Sequence, residues 1–62
     1  MGSKFRVLVE CRNEGGTDLH CWDNVRADNE KAAEHKAVEM ARRYYPEFDE
    51  FEPVRVEPSR WR

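Results

Sequence analysis

The chain begins with a stretch in which apolar and polar side chains alternate. Along residues 4–12 the apolar positions are Phe5, Val7, Val9 and Cys11, and charged residues stand between most of them. A two-residue period is typical of a strand with one buried face. The sequence therefore predicts a first strand over residues 4–12.

A second alternating stretch follows a turn. Residues 13–17 contain two adjacent glycines, which predicts a hairpin turn. Along residues 19–27 we expect four side chains to face the core and four to face away: the first set is Leu19, Cys21, Val25 and Ala27, and the second is His20, Trp22, Asn24 and Arg26. Asp23 falls on the apolar side of this pattern. Either a β-bulge near Asp23 and Asn24 rotates it away, or it lies at an exposed rim.

The next segment has a helical period. Asp28 or Asn29 can cap a helix that runs to about Tyr44, because Pro46 disfavours helical geometry at the residue before it. The apolar stripe of this helix is predicted to be Ala33, Ala37, Met40 and Tyr44, flanked by Ala41. A short third strand is predicted over residues 54–57, between two prolines that suit a sheet edge.

The predicted fold is a two-layer α+β domain with the order β-β-α-β. The sheet has three antiparallel strands in the order 3-1-2, and the single helix covers one face of it. The predicted core includes Val7, Val9, Ala37 and Met40. We expect one domain over residues 4–58, a tag remnant or disordered start at 1–3, and a tail at 59–62.

Composition limits what this domain can do. In 62 residues, 11 basic and 13 acidic side chains give a net charge of −2, which argues against non-specific nucleic-acid binding. No apolar run is long enough for a membrane span. Two cysteines without a secretory segment predict a cytoplasmic location.

Catalytic and metal chemistry find little support in the sequence. The four residues that could ligate zinc are Cys11, His20, Cys21 and His35, and they lack the close paired spacing of structural zinc sites. Cys11 and Cys21 are predicted to be small buried hydrophobes, with a disulfide between them as the alternative under oxidation. We therefore expect no cofactor, no metal and no enzymatic activity.

The face of the sheet turned away from the helix is the main candidate site. It is predicted to display Arg6, Leu8, Arg12, His20, Trp22 and Arg26. Tryptophan and arginine are enriched at binding hot spots. The alternative is that Trp22 lies flat on the sheet, shielded by arginine stems or by the tail with Trp61. A secondary candidate is Phe48 and Phe51 together with Trp61, although the two phenylalanines are expected mainly to close one end of the core.

We therefore expect a small protein-interaction module that docks through this sheet face or through a strand edge. The predicted partner is another protein or a second copy, paired through the second strand or through Trp22. An accessory factor, regulator or inhibitor, of the kind that phages and mobile elements encode, has this size. The alternatives are a nucleic-acid-binding module that uses aromatic side chains and arginine, and a structural subunit of a larger assembly.

Overall fold

The computed structural model of the protein describes residues 3–59. The described elements follow in the order β1 (Ser3–Asn13), β2 (Gly16–Ala27), α1 (Glu30–Tyr44) and β3 (Glu50–Pro58). The strands form an antiparallel sheet with the order β2-β1-β3, and α1 packs on one face. The predicted α+β architecture and strand order are thereby confirmed. The described part of the chain contains no helix long and apolar enough to cross a membrane.

The core lies between the central strand and a seam of small residues on the helix. Val7, Val9 and Cys11 of β1 are fully buried, as are the three helix residues that face them: Ala33, Ala37 and Ala41. Alanine has no side chain beyond Cβ, so α1 lies close to the sheet. The predicted helix stripe was partly wrong: Met40 is only half-buried and Tyr44 is 64% exposed. The helix is rotated so that the row with four-residue spacing faces the strands.

A β-bulge interrupts β2 at the position that the sequence analysis considered. Phe5 opposes Val25 and Val7 opposes Trp22, so that Asp23 and Asn24 together oppose the single residue between Phe5 and Val7. Asn24 adopts a positive φ of 60°, a conformation that asparagine tolerates better than most residues. The extra residue reverses the alternation of side chains along β2.

The reversal overturns the predicted face of the first half of β2. Val25 and Ala27 do point to the core, as expected, whereas Leu19 and Cys21 are exposed on the opposite face. His20 and Trp22 consequently lie on the helix side, where Trp22 packs against the core. The prediction that Trp22 faces away from the helix is wrong.

The hairpin is tighter than the sequence suggested. Asn13 pairs with Gly16, which leaves a two-residue loop in which the Asn13 side chain accepts a hydrogen bond from the Gly15 backbone at 2.8 Å. In this register Cys11 opposes Asp18 and Cys21 opposes Leu8. The two cysteines therefore lie on opposite faces of the sheet and cannot form an intrachain disulfide. The prediction that both are buried holds for Cys11 alone.

The third strand is longer than predicted. It includes Pro53, which opposes Val9, and it ends at Pro58, which opposes Phe5. Both prolines fit because β3 is an edge strand, where a backbone N–H need not pair with a neighbour. A second irregularity leaves Val54 without a partner in β1 and 46% exposed.

Candidate interaction surface

The residues predicted to form one surface are divided between the two faces of the sheet. Arg6, Leu8 and Arg12 lie on the open face, as expected, and Arg26 opposes Lys4 on the same face. His20 and Trp22 lie on the helix side instead. The predicted patch of aromatic and arginine side chains therefore does not exist as one surface. Trp61 lies outside the described residues.

The open face is dominated by ion pairs at one end. Arg6 Nε lies 2.7 Å from Asp23 Oδ1, and Arg6 Nη1 lies 3.9 Å from Glu57. The Asp23 carboxylate raises the pKa of Arg6 through this hydrogen bond and through its charge. Arg55 reaches the same Glu57 at 3.3 Å. Arg6 is thus already neutralised by acids of its own chain.

Arg12 is likewise paired with acids of its own chain, at the other end of the open face. Its guanidinium nitrogens lie 3.2 to 3.4 Å from three carboxylates, those of Glu10, Glu50 and Glu52. Three acids around one arginine leave this region net negative. Arg6 and Arg12 are thus both paired with acids of the same chain, which weakens their attraction for a nucleic-acid phosphate.

Between these ion pairs is a small cleft. Leu8 and Cys21 oppose each other across β1 and β2, and with Arg6, Arg55 and Glu57 they line a volume of about 190 Å³. Sites for drug-sized ligands usually exceed 300 Å³. The cleft is too small and too charged at its rim to be the main binding site.

The helix side of β2 carries a row of aromatic rings. Tyr44 stacks on Trp22 with 5.4 Å between ring centroids, and Tyr45 stacks on His20 at 4.0 Å. Phe48 meets both His20 and Tyr45 edge-on at 6.5 Å. We call these five residues the aromatic row. Stacked and edge-on pairs at such distances stabilise beyond the area that they bury.

Local sequence explains how the aromatic row forms. The helix ends at Tyr44, and the Tyr45 backbone N–H donates to the Ala41 carbonyl at 2.8 Å, which turns both tyrosines towards β2. Pro46 prevents a further helical turn. The Phe48 N–H then donates to the Tyr45 carbonyl at 3.2 Å, so the loop folds back beside His20.

Two ring nitrogens in the aromatic row have no hydrogen-bond partner in the described structure. Trp22 Nε1 and His20 Nε2 are both buried without one. Buried polar atoms are normally paired, and an unpaired one opposes folding by about 1–3 kcal/mol. The aromatic row therefore contains polar atoms whose burial opposes folding.

The outer edge of β2 is one of the two strand edges of the sheet that have no neighbouring strand among the described residues. Because β1 is central, one side of β2 has no strand neighbour, and about every second residue directs its N–H and C=O outward there. Leu19 is 57% exposed on the open-face side of this edge, and the aromatic row lies on its helix side. Beyond the bulge, a groove of about 640 Å³ separates β2 from α1, lined in part by Val25, Met40 and Tyr44.

The two edges of the sheet differ in how well they resist pairing. β3 contains Pro53 and Pro58, whereas β2 has no proline over its 12 residues. Exposed edges without proline are templates for pairing with another strand, and the one inward-pointing charge on the regular part of β2 is Asp18, opposite Cys11. Only the bulge at Asp23 and Asn24 breaks the regularity of β2, and it leaves Gly16–Trp22 regular.

The secondary candidate residues contribute to packing. Phe48 and Phe51 are half-buried and pack against the core, and Arg42 lies 5.9 Å above the Phe51 ring. This arrangement agrees with the expectation that the two phenylalanines close one end of the core.

Within residues 3–59, no three or more His, Cys, Asp or Glu side chains are arranged so that they could hold a metal ion. The Cys11 thiol is fully buried, and this burial raises its pKa above the ordinary value, which disfavours the nucleophilic thiolate. The surface that sequence reasoning missed is formed by Leu19, Tyr44 and Tyr45. The adjacent tyrosines before Pro46 were a usable signal, because a helix end can direct them onto a neighbouring strand.

No protein-family model matches this chain, and it matches no curated protein and no solved structure.

Proposed function

We propose that this protein is a small non-enzymatic interaction module that binds a partner protein by strand addition at the outer edge of β2. In this mode an extended segment of the partner pairs with the free backbone groups of an edge strand. Affinity comes from the main-chain hydrogen bonds, and selectivity comes from side chains on the two sides of the strand.

One observation carries the proposal: Gly16–Trp22 is a regular, proline-free edge with apolar side chains on both sides. Leu19 lies on one side of it, and the aromatic row lies on the other. An incoming strand would bury both. Aromatic side chains are among the types enriched at hot spots of protein interfaces.

A regulatory or inhibitory role would fit this mode of binding, because a strand added at an edge covers the partner segment that supplies it. A reducing cytoplasm remains the predicted location, since the two cysteines lie on opposite faces and cannot pair within the chain.

The test compares two lysine substitutions on opposite edges. Leu19→Lys places a charge on the β2 edge, and Val54→Lys places the same charge at an exposed apolar residue of the β3 strand. Tagged wild type and both variants are used as bait in lysate of the source cells, after circular dichroism has shown that each is folded.

We expect proteins retained by wild type and by Val54→Lys to be lost from Leu19→Lys. Identical retention by all three baits would contradict edge binding. Retention that depends on nucleic acid and falls steeply with salt would instead favour the nucleic-acid alternative.

A further inference from the structure

We propose that the strand added at the β2 edge is β2 of a second copy of this chain, paired antiparallel about a two-fold axis that passes beside Leu19. The inference rests on the proposed function and names its partner. Joining two three-stranded sheets in this way gives one continuous sheet with both helices on the same side.

The register follows from the limits of the regular segment. The hairpin loop before Gly16 ends it on one side, and the bulge after Trp22 ends it on the other. A segment that pairs with itself under two-fold symmetry places its middle residue opposite its own copy. The middle of Gly16–Trp22 is Leu19, which is also the exposed apolar residue of this edge.

The side-chain pairs formed in this register are complementary. Leu19 meets Leu19 of the second copy, which removes an exposed apolar side chain from water. Asp18 meets His20 on the helix side, where an imidazole N–H can donate to the carboxylate. Trp22 meets Gly16, and an aromatic ring opposite a strand glycine fills the space that the missing side chain leaves.

Neighbouring registers are worse in specific ways. A two-fold axis at residue 18 would place Asp18 opposite Asp18, where like charges repel. An axis at residue 20 would place Asp18 opposite Trp22. An axis at residue 21 would place Leu19 opposite Asp23. Of these four registers, only the axis at Leu19 leaves no acidic side chain opposite another acid or an apolar residue.

The size of the contact sets the expected affinity. Seven residues of strand span about 23 Å at about 3.3 Å each. With a molecular width of 16 Å, the outline of the contact is about 370 Å² on each copy. Stable interfaces bury about 800 Å² on each partner, so we expect a reversible dimer with a dissociation constant in the micromolar range.

Cysteine crosslinking tests the register directly. In the proposed pairing, residue 17 opposes Cys21 of the second copy on the open face, where directly opposite Cα atoms lie about 4.5–5.5 Å apart. This separation suits a disulfide. Thr17→Cys should therefore crosslink through the native Cys21 when an oxidant is added. The two Cys21 residues of a wild-type dimer would lie about 14 Å apart along the strands and should not crosslink.

The matched controls are Val54→Cys, which exposes a thiol on the β3 strand, and Thr17→Cys combined with Cys21→Ser. We expect Thr17→Cys to form reducible dimers at least about tenfold faster than either control or wild type, because only it holds two thiols within disulfide range. Equal rates for Thr17→Cys and Val54→Cys would overturn the pairing. Rapid crosslinking of wild type through Cys21 would overturn the register.

Sedimentation equilibrium from about 1 to 500 µM tests the dimer itself, since this range brackets a micromolar constant. Wild type should shift from 7.4 kDa towards twice that mass, and folded Leu19→Lys should not. A wild-type monomer throughout would overturn the second-copy proposal. If wild type is a monomer but the Leu19→Lys bait still loses a foreign partner that wild type retains, binding at the β2 edge is supported and only pairing with a second copy is overturned. The proposed function and this inference can therefore fail separately.

Discussion

Replacing Trp22 by alanine is the sharpest probe of the packing between β2 and the helix. Trp22 is half-buried against the core, and its ring stacks on Tyr44 at 5.4 Å between centroids. Truncation of a fully buried tryptophan costs about 3–5 kcal/mol. Trp22 retains some exposure, and its buried Nε1 has no hydrogen-bond partner. We therefore expect a loss of about 2 kcal/mol in the free energy of unfolding, below the range for full burial.

A loss of this size is large for so short a chain. A single core in fewer than about 70 residues rarely supplies more than about 3–5 kcal/mol. At about 4–8 °C per kcal/mol, Trp22→Ala should lower the melting temperature by about 8–16 °C. Stacking on Tyr44 should supply about 0.5–1.5 kcal/mol of the total.

Urea unfolding followed by circular dichroism measures the effect without using tryptophan fluorescence. The control is Val54→Ala, which truncates a side chain that is 46% exposed and should change stability by less than about 0.5 kcal/mol. A double-mutant cycle with Tyr44→Ala isolates the stack. A loss for Trp22→Ala no larger than that of the control would refute the packing described here. Strict additivity with Tyr44→Ala would refute the stack alone.

Two further predictions concern the thiols and the ion pairs. In the native protein an alkylating reagent should modify Cys21 rapidly and Cys11 only after unfolding. Mass spectrometry of the digested protein measures both rates, and equal rates would contradict the burial of Cys11. Burial raises the pKa of Cys11 in the folded state. The stability that the protonated Cys11 thiol contributes is therefore present below the ordinary thiol pKa and is lost as the pH rises above that pKa. Cys11→Ala should reduce this loss of stability at alkaline pH. Arg12→Ala should lower the free energy of unfolding by about 1 kcal/mol at low salt and by less at about 0.5 M salt, because screening weakens exposed ion pairs. Arg55→Ala, whose side chain is 73% exposed beside one acid, should have little effect at either salt, and a salt-independent loss for Arg12→Ala would exclude an ionic origin.

Most of the architecture could be predicted because local patterns in the chain agree with one another. Alternation in β1 placed Val7 and Val9 in the core, and both are fully buried. A helix cap was predicted at residue 28 or 29, and the Asn29 side chain accepts a hydrogen bond from Ala32 N at 2.8 Å. The sheet order was predicted from the connections, from the apolar character of β1 and from the prolines at both ends of the third strand, and it is confirmed.

The candidate surface could not be predicted, because the face that each strand residue occupies depends on strict alternation, and one extra residue at a bulge reverses that alternation. The sequence permits a bulge at Asp23 and Asn24, but hydrophobicity favours Leu19 and Cys21 over His20 and Trp22 as core residues. Which of these two pairs faces the helix depends on packing partners that are distant in sequence. Tyr44 and Tyr45 provide stacking surfaces for Trp22 and His20, and no period within β2 contains that information.

The bulge at Asn24 has a consequence for how such a domain can evolve. Insertions and deletions are usually tolerated in loops, where they leave packed surfaces unchanged. Loss of the single codon for Asn24 would instead restore plain alternation, and half of β2 would have to turn over. A lineage could thereby exchange an open sheet face that displays Leu19 and Cys21 for one that displays His20 and Trp22, with every side chain except Asn24 retained. One reading-frame-preserving deletion separates two different surfaces on the same fold.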